Sequence, residues 1–368
     1  MSPTLGLSIL GLGAAIPEPV RLNDAWPESF HRRFDESRKH DITTIERGAG
    51  GETQELDRAI SDAMAPYATD PFRGTRRRHI TPAELPASDL EADAARRAIA
   101  DAGLTAADID VAFIASYMPD MLMPSNGPAL QAKVGLVNAI CYPTDLACAS
   151  FLGHLVLADA LIAAGRARYV LSVNSGTLSR FLDLNLPVSV HIGDGASACV
   201  FGASGRAGFG LLGQHARTDG SLRDGIVLAH VGADGKPARR YEDAAARIVF
   251  TTLDPAAGKA GGQKGAAWCR ESCAAAMAQA GVSLGDISLY FGAQSLKWFP
   301  DACRRALGLS PEQVIESFDE VANIGPATIP YNLLLARQRG LLRDGALLLL
   351  YSPGIGMHRL AVVLRWSA

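Results

Sequence analysis

The segment Thr144-Asp-Leu-Ala-Cys148-Ala-Ser-Phe-Leu-Gly153 lies between two stretches of different character. The apolar run 137–142 before it predicts a buried strand, and the Ala/Leu-rich run 149–164 after it predicts a helix. Cys148 is therefore expected at a strand-to-helix turn, where the partial positive charge of a helix N-terminus favours the thiolate. A cysteine in this position can attack a thioester and carry its acyl group. The alternative is a small, buried and inert cysteine.

The composition is that of an ordinary globular protein with ample apolar material for a core. Of the 368 residues, 48% are hydrophobic and 20% are charged, and the net charge is −3. This balance argues against nucleic acid or an anionic membrane as the main partner. The six cysteines lack metal-binding spacings such as Cys-x-x-Cys, and the apolar run 5–16 lacks the basic flank of a signal peptide. We therefore expect a cytoplasmic protein without a metal site.

Predicted strands and helices alternate along the chain, which is typical of α/β proteins. Strands are predicted at 5–15, 110–116, 169–174 and 188–192. A helix is predicted to begin near Ser88, as its N-cap, and to run to residue 102. Residues 22–72 are polar and weakly periodic, and they predict a mostly helical excursion.

The second half of the chain repeats the first. The segment Ala-Gly-Leu-Thr-Ala-Ala-Asp-Ile at 102–109 recurs as Ala-Gly-Val-Ser-Leu-Gly-Asp-Ile at 280–287, an offset of 178 (280 − 102). The same offset places Cys148 on Pro326. We expect two similar halves, each a mostly parallel sheet covered by helices: residues 1–205 with the nucleophile, and residues 206–368 with Asn323 and a glycine loop.

Two facing halves would bring the Cys148 turn close to the turn at 323–326. Asn323 then becomes a candidate partner of Cys148, although a turn-forming asparagine is the commoner role. The strand before Gly354-Ile-Gly356 would bring a bare backbone N–H to the same place. That N–H is a candidate oxyanion donor, with a plain tight turn as the alternative.

Six segments, in this order, resemble those of β-ketoacyl-acyl carrier protein synthase III of the thiolase superfamily. They are Gly74-Thr-Arg76-Arg-Arg-His-Ile, Met123-Pro124-Ser125, Asp145-Leu-Ala-Cys148-Ala-Ser-Phe, Gly193-Asp194-Gly195-Ala196, Ala-Asn323-Ile-Gly-Pro-Ala and Gly354-Ile-Gly356. The resemblance covers nearly the full chain. It implies an α/β, thiolase-like αβαβα sandwich built from two duplicated halves, and a homodimer. It also implies an acyl-coenzyme A or acyl carrier protein thioester as substrate, with no permanently bound cofactor.

The resemblance also implies roles for single residues. Cys148 would be the acylated nucleophile and Asn323 the active-site amide, and the oxyanion donors would be the N–H groups of Cys148 and Gly356. Arg76 would lie near the mouth of the coenzyme A tunnel, and Met123 would reach across to line the acyl pocket of the partner subunit.

The arginine-rich stretch 73–78 suits either the phosphates of coenzyme A or the acidic surface of a carrier protein. A solvated run of arginines is the alternative. Ile192 occupies a position beside the pantetheine tunnel in the family. His191 before it is a candidate general base toward an acceptor, or else a buried, hydrogen-bonded histidine.

One segment departs from the family pattern. After the strand near residue 290 the family has His-Gln-Ala-Asn-Leu-Arg with a catalytic histidine, whereas this chain has Gly292-Ala-Gln-Ser-Leu-Lys297. Losing one such donor costs a factor of about 10²–10³ in rate. We therefore expect self-acylation of Cys148 to persist and decarboxylative condensation to be weak or absent.

The expected function is acyl transfer from a coenzyme A or carrier protein thioester to an acceptor, in specialised natural-product biosynthesis. Two alternatives stay open. One is a decarboxylating synthase in which His191 or another group replaces the lost histidine. The other is a degenerate subunit of a heterodimeric synthase.

Overall fold

The computed structural model describes residues 6–38, 51–238 and 243–368, so residues 39–50 of the predicted excursion lie outside it. The strands are β1 (Leu7–Ala15), β2 (Val20–Leu22), β3 (Arg77–His79), β4 (Val111–Ser116), β5 (Ile140–Pro143), β6 (Tyr169–Gly176), β7 (Gly195–Ala203), β8 (Gly210–Thr218), β9 (Val227–Val231), β10 (Arg247–Thr251), β11 (Leu289–Gly292), β12 (Leu347–Gly354) and β13 (His358–Arg365). The helices are α1 (Glu28–Arg38), α2 (Gly51–Met64), α3 (Ala87–Asp101), α4 (Asn126–Val134), α5 (Ser150–Ala163), α6 (Pro255–Ala280), α7 (Phe299–Leu307), α8 (Phe318–Val321) and α9 (Thr328–Gln338). Across the described ranges, no helix combines the length and apolar character needed to cross a bilayer.

Two main sheets form the scaffold. The first has the strand order β1-β7-β6-β4-β5, and the second has the order β11-β12-β13-β8. β4 is parallel to both β5 and β6, and β11 is parallel to β12, but the other neighbouring pairs are antiparallel. The sheets are therefore mixed, and the expectation of mostly parallel sheets is wrong. β13 follows β12 through a tight turn, and such a turn reverses the chain and needs no crossover helix.

The duplication is confirmed by the element boundaries. Adding 178 to the ends of β6 gives 347 and 354, the ends of β12. The same offset relates the 3₁₀ turn Ala147–Ala149 to the 3₁₀ turn Gly325–Ala327 (147 + 178 = 325), and each turn is followed directly by a helix.

The helices and sheets form five layers. α5 contacts β6 and β7 of one sheet and β12 and β13 of the other, and it shares a hydrophobic core with α9 between the two sheets. α3 packs on the outer face of the first sheet, and α6 packs on the outer face of the second. This arrangement is the predicted αβαβα sandwich, with the Cys148 turn at the start of a central helix.

β5 is an exposed edge strand, so the prediction of a buried strand at 137–142 is wrong. Val137, Ile140 and Tyr142 are 70%, 54% and 49% exposed, because β5 pairs with β4 on one edge and no strand within the described ranges pairs with its other edge. An apolar run indicates that a strand is covered, but the sequence alone does not say whether the same chain or another molecule covers it.

Two local expectations also differ from the structure. The predicted strand at 188–192 is a 3₁₀ turn, Pro187–His191. The N-cap position of α3 is Pro86, and Ser88 lies inside the helix with its backbone N–H donating to Asp120 Oδ1. Its hydroxyl donates to the Asp120 carboxylate. The prediction that Ser88 is the N-cap is therefore wrong.

Candidate active site

Cys148 lies in the 3₁₀ turn that precedes α5. Ala147 has φ +52°, a left-handed conformation that stores strain in a non-glycine residue. The turn is held by Asp145 Oδ1, which accepts from Ala147 N at 2.9 Å, and by Ser150 Oγ, which donates to Ala147 O at 2.7 Å. From the other half of the molecule, Ser352 Oγ donates to Cys148 O at 2.9 Å. Both halves therefore fix the backbone of the candidate nucleophile.

The Cys148 sulfur has a phenol as its hydrogen-bond partner. Tyr117 lies directly after β4, and its hydroxyl donates to Cys148 Sγ at 2.9 Å. Burial raises the pKa of the Cys148 thiol, and the hydrogen bond from Tyr117 lowers it by a smaller amount. The helix N-terminus was predicted to favour the thiolate, but the pKa of the Cys148 thiol is raised overall, because desolvation outweighs the favourable contacts.

Asn323 is held in place through its backbone. Its N–H donates to His191 O at 2.9 Å, and its carbonyl accepts from Gly193 N at 3.0 Å. In the side chain, Oδ1 accepts from Gly325 N at 2.9 Å, and Nδ2 donates to Ser295 O over a long distance of 3.5 Å. The asparagine thus shapes its own turn while its amide N–H group retains donor capacity.

The turns that carry Cys148 and Asn323 meet. The 3₁₀ turns Ala147–Ala149 and Gly325–Ala327 contact each other, as the duplication predicts. Their approach is confirmed, whereas the catalytic roles of the two side chains stay predictions.

The glycine loop lies against the nucleophile segment. A Cβ atom at Gly354 would lie 2.2 Å from Leu146 O, so only glycine permits this close approach. Gly356 has φ +82° in the turn between β12 and β13. After that turn, His358 Nδ1 lies 2.9 Å from Thr218 Oγ1. The role of the Gly356 N–H as an oxyanion donor stays a prediction.

His191 is buried and uncharged at neutral pH. Burial, together with the positive charges of Arg78 and Arg73, lowers its pKa to about 3. Its Nδ1 lies 3.2 Å from Thr75 Oγ1. This is the environment of the hydrogen-bonded alternative, and a histidine with so low a pKa is a weak base. Ile192 is also buried, and it pairs with Asn323 in a short parallel bridge.

His154 belongs to the core behind Cys148. Its Nδ1 lies 2.7 Å from Ser172 Oγ, its Nε2 contacts Thr144, and burial lowers its pKa to about 3.

Gly292 ends β11 at the position where the family pattern has histidine. A Cβ atom there would lie 2.7 Å from the hydroxyl oxygen of Tyr290. Tyr290 is fully buried, and its hydroxyl also lies 3.4 Å from Cys269 Sγ. The phenol therefore occupies the space that any side chain at position 292 would need.

A cavity of about 1130 Å³ leads toward this region. Its lining includes Phe30, Phe34, Ile60 and Met64 of the excursion and Arg73 directly after it, and further lining residues come from α6 and Trp298. His191 lines the cavity, whereas Cys148 and Asn323 do not. The cavity thus reaches His191, whose carbonyl accepts from the Asn323 N–H, but the Cys148 sulfur is not part of the cavity lining.

The cavity wall is basic. Arg33, Arg73 and Lys259 belong to it, and no acidic side chain does within the described part of the chain.

The residues of the arginine-rich stretch 73–78 have different surroundings. Arg78 is fully buried, donates to Val190 O at 2.7 Å and lies over the ring of Trp26, so its role is structural.

Two predicted substrate-binding residues lie at the surface. Arg76 is exposed and is not part of the cavity wall, and Met123 is 87% exposed. Both roles stay predictions. Among the described residues, no group of three or more His, Cys, Asp or Glu side chains is arranged to hold a metal ion.

Sequence reasoning missed two features of the site. Tyr117 carries no motif, although its place at the end of a strand beside the strand before Cys148 was a usable signal. The excursion wall gave no signal, because its residues are far from Cys148 in sequence and weakly periodic.

Comparisons with known proteins agree with this architecture. The family models described as 3-oxoacyl-[acyl-carrier-protein] synthase III and as its C-terminal part match residues 144–220 and 277–366. Curated relatives named β-ketoacyl-[acyl-carrier-protein] synthase III from Bordetella petrii and Rhodobacter capsulatus are each 32% identical, over 77% and 80% of this chain and 83% and 88% of theirs. The crystal structure of 3-oxoacyl-(acyl carrier protein) synthase III from Pseudomonas aeruginosa PAO1 superposes with a TM-score of 0.76 at 27% identity, covering 99% of both chains. The chain belongs to the β-ketoacyl-acyl carrier protein synthase III family of the thiolase superfamily, a family of transferases.

Proposed function

We propose that this protein is an acyltransferase that carries an acyl group on Cys148 and passes it to an acceptor. The observation that carries the proposal is the meeting of the Cys148 turn with the Asn323 turn, beside the Gly354 loop. Attack by the sulfur on a thioester places negative charge on the carbonyl oxygen, and the N–H groups of Cys148 and Gly356 are the proposed donors to it. The half carrying Cys148 would be residues 1–205, and the half carrying Asn323 residues 206–368.

The position of Gly292 favours acyl transfer over decarboxylative condensation. Forming an enolate from a malonyl thioester needs donors at the thioester carbonyl, and Gly292 offers no side chain for this. The Tyr290 phenol also fills the space beside Gly292 that a donor side chain at this position would need. The acceptor would therefore be an amine, a hydroxyl, a thiol or an already activated carbon.

The donor would be a thioester of coenzyme A or of an acyl carrier protein, used as substrate rather than as a bound cofactor. Arg33, Arg73 and Lys259 in the cavity wall support an anionic donor, since phosphates and acidic surfaces both pair well with them. Arg76, which is exposed, would add to the attraction. Ile192 and Met123 would contact the pantetheine and the acyl chain.

A homodimer is part of the proposal. The exposed apolar side chains of β5 and of the loop containing Met121, Leu122 and Met123 are the surfaces a second copy would cover. Light scattering should give twice the chain mass, and Ile140→Lys should shift the protein to monomer. A monomeric parent would contradict the proposed homodimer.

We further propose a cytoplasmic role in specialised, natural-product biosynthesis.

The decarboxylating synthase remains the second candidate, with His191 as its base. His191 lines the cavity, which favours this candidate, but its pKa of about 3 makes it a weak base. A degenerate subunit is less well supported, because the turns of Cys148 and Asn323 keep their mutual contact.

The test is the intact mass of the protein after brief exposure to a panel of acyl-coenzyme A and acyl carrier protein thioesters. We expect one class of acyl group to add its mass to the parent and not to Cys148→Ala. Equal adducts on both proteins, or none with any donor, would overturn the proposal. Loss of the adduct on adding an acceptor, without carbon dioxide release, would separate acyl transfer from condensation.

A further inference from the structure

The contact between Tyr117 and Cys148 belongs to no segment of the family pattern. Tyr117 is fixed at the end of β4, where its backbone N–H donates to Ser175 O at 3.1 Å. A Cβ atom at Gly325 would lie 2.8 Å from Cε2 of Tyr117, so the ring packs on the turn that follows Asn323. The ring thus lies between the two turns of the site and brings its hydroxyl to the sulfur.

The electrostatic surroundings decide which of the two groups holds a proton. Burial raises the pKa of Tyr117 well above its ordinary value, and the neighbouring Cys148 and Asp145 raise it further. Burial also raises the pKa of Cys148, where Asp145 adds to the effect and the Tyr117 hydrogen bond opposes it. The ordinary pKa of a phenol already exceeds that of a thiol. The phenol therefore keeps its proton when the thiol ionises, and it acts as a donor rather than as a base.

We propose that Tyr117 is a catalytic residue of this site, whose hydroxyl hydrogen-bonds the reacting sulfur and stabilises its thiolate form. The inference deepens the proposed acyl transfer and rests on it for the nature of the reaction. In the acylation step, Cys148 Sγ forms a bond to the acyl carbon and the bond from that carbon to the donor sulfur breaks. The proton lost by Cys148 ends on the departing thiolate, and Tyr117 retains its own.

The arrangement addresses a difficulty of the buried site. A thiolate in apolar surroundings is costly, and burial raises the pKa of the Cys148 thiol. A hydrogen bond to an ionised acceptor is about twice as strong as one between neutral groups. The phenol therefore stabilises the thiolate more than the thiol, and that difference lowers the barrier to attack.

The test is the pH dependence of Cys148 alkylation by iodoacetamide, followed by mass on the Cys148 peptide. Tyr117→Phe keeps the ring that packs on Gly325 and removes only the hydroxyl. We expect its alkylation midpoint to lie at higher pH and its rate at neutral pH to fall by about tenfold. Tyr169→Phe, at the far end of β6, is the matched control and should follow the parent. Superimposable profiles for the parent and Tyr117→Phe would overturn the proposal.

A measurement on the unaltered chain provides a second test if Tyr117→Phe does not fold. Cys141 is the other half-buried free cysteine, and burial alone raises its pKa. Burial raises the pKa of both thiols, and of the two Cys148 is the one that accepts a hydrogen bond from a phenol. We expect the Cys148 midpoint to lie at or below that of Cys141 in the same sample. A clearly higher midpoint for Cys148 would contradict the proposal.

Alkylation needs no acyl donor, so the two proposals fail separately. A shifted profile in Tyr117→Phe together with no acyl adduct from any donor would retain Tyr117 and reject acyl transfer. An acyl adduct together with unshifted profiles would do the reverse.

Discussion

The turns Ala147–Ala149 and Gly325–Ala327 have the same backbone and different chemistry. Each is a 3₁₀ turn that starts at a positive φ, +52° at Ala147 and +63° at Gly325, and each leads into a central helix. The first turn carries Cys148, the proposed nucleophile, whereas the second has proline at the matching position and an asparagine before it. A duplicated scaffold thus provides two adjoining turns, and in the proposed function the divergence of their side chains lets one attack and the other position the substrate.

The largest expected effect comes from removing the nucleophile. Cys148→Ala should lower acyl transfer by about 10³-fold or more, because no other group of the turn can form a thioester. Acyl transfer is measured by the label released to an acceptor. Cys141→Ala, which changes the other half-buried free cysteine, should keep the parent rate. Residual transfer in Cys148→Ala close to that of the parent would make the two turns equivalent and contradict the comparison.

The two functions of the second turn can be separated at Asn323. Asn323→Asp keeps an oxygen for Gly325 N and loses the amide donor, so acyl transfer should fall by about 10²-fold with little change in stability. Asn323→Ala loses both, and its free energy of unfolding should fall by about a further 1 kcal/mol. The measurements are single-turnover rates and urea unfolding. Full activity in Asn323→Asp would show that the asparagine only shapes its turn.

The contact between the halves can be broken at Gly354. Gly354→Ala places a methyl group against Leu146 O, and the backbone shift should cost about 1–3 kcal/mol in unfolding free energy. The displaced nucleophile should also lose about 10²-fold in acylation rate. Gly220→Ala is the control, since a Cβ atom there contacts nothing within 4 Å. Equal acylation rates in the two variants would mean that this approach does not position Cys148.

Gly292 tests whether the missing histidine can simply be restored. Gly292→His alone should not release carbon dioxide from a malonyl thioester, and it should lower the unfolding free energy by about 1–3 kcal/mol because it collides with Tyr290. Tyr290→Val combined with Gly292→His removes the collision and should be the more stable of the two variants. Carbon dioxide release by the single variant would contradict the packing argument.

The last prediction, which leaves the chemistry of Cys148 untouched, is a pH dependence of stability due to His191. Its folded pKa of about 3 lies below the ordinary value of about 6.5, so the unfolded chain binds more protons between these two values. Its contribution to stability is complete above about pH 6.5 and is lost as the pH falls toward 3, by up to about 1.4 kcal/mol per pH unit. His191→Asn should flatten the pH dependence of unfolding relative to the parent. His154 has a similar pKa and is present in both proteins, so the difference isolates His191. Parallel curves would mean that His191 is charged in the fold.

The sequence was sufficient to predict the duplicated architecture and the meeting of the two turns. The fixed offset of 178 residues relates the elements of the two halves, and glycine, proline and asparagine mark where the backbone turns. It misjudged 137–142, since an apolar run does not tell a buried strand from an edge that another surface covers. The strand predicted at 188–192 became a 3₁₀ turn because Pro187 starts it and its residues pack on the excursion.

The chemistry of the site was less accessible to prediction than its backbone. The net pKa shift of Cys148 is a balance between burial and hydrogen bonds, and neither can be read from local sequence. Tyr117 is 31 residues from Cys148, and only the pairing of β4 with β5 brings it to the sulfur. The wall formed by the excursion likewise depends on tertiary packing.

The most direct measurement is the fate of isolated acyl-Cys148 protein when it is mixed with malonyl thioester or with a panel of amine, hydroxyl and thiol acceptors. The intact mass and released carbon dioxide are followed together. The account predicts that the acyl mass is lost to an acceptor with no carbon dioxide, and that malonyl thioester leaves the adduct unchanged. Loss of the acyl group with malonyl thioester, matched by an equal amount of carbon dioxide, would contradict it and identify a condensing synthase.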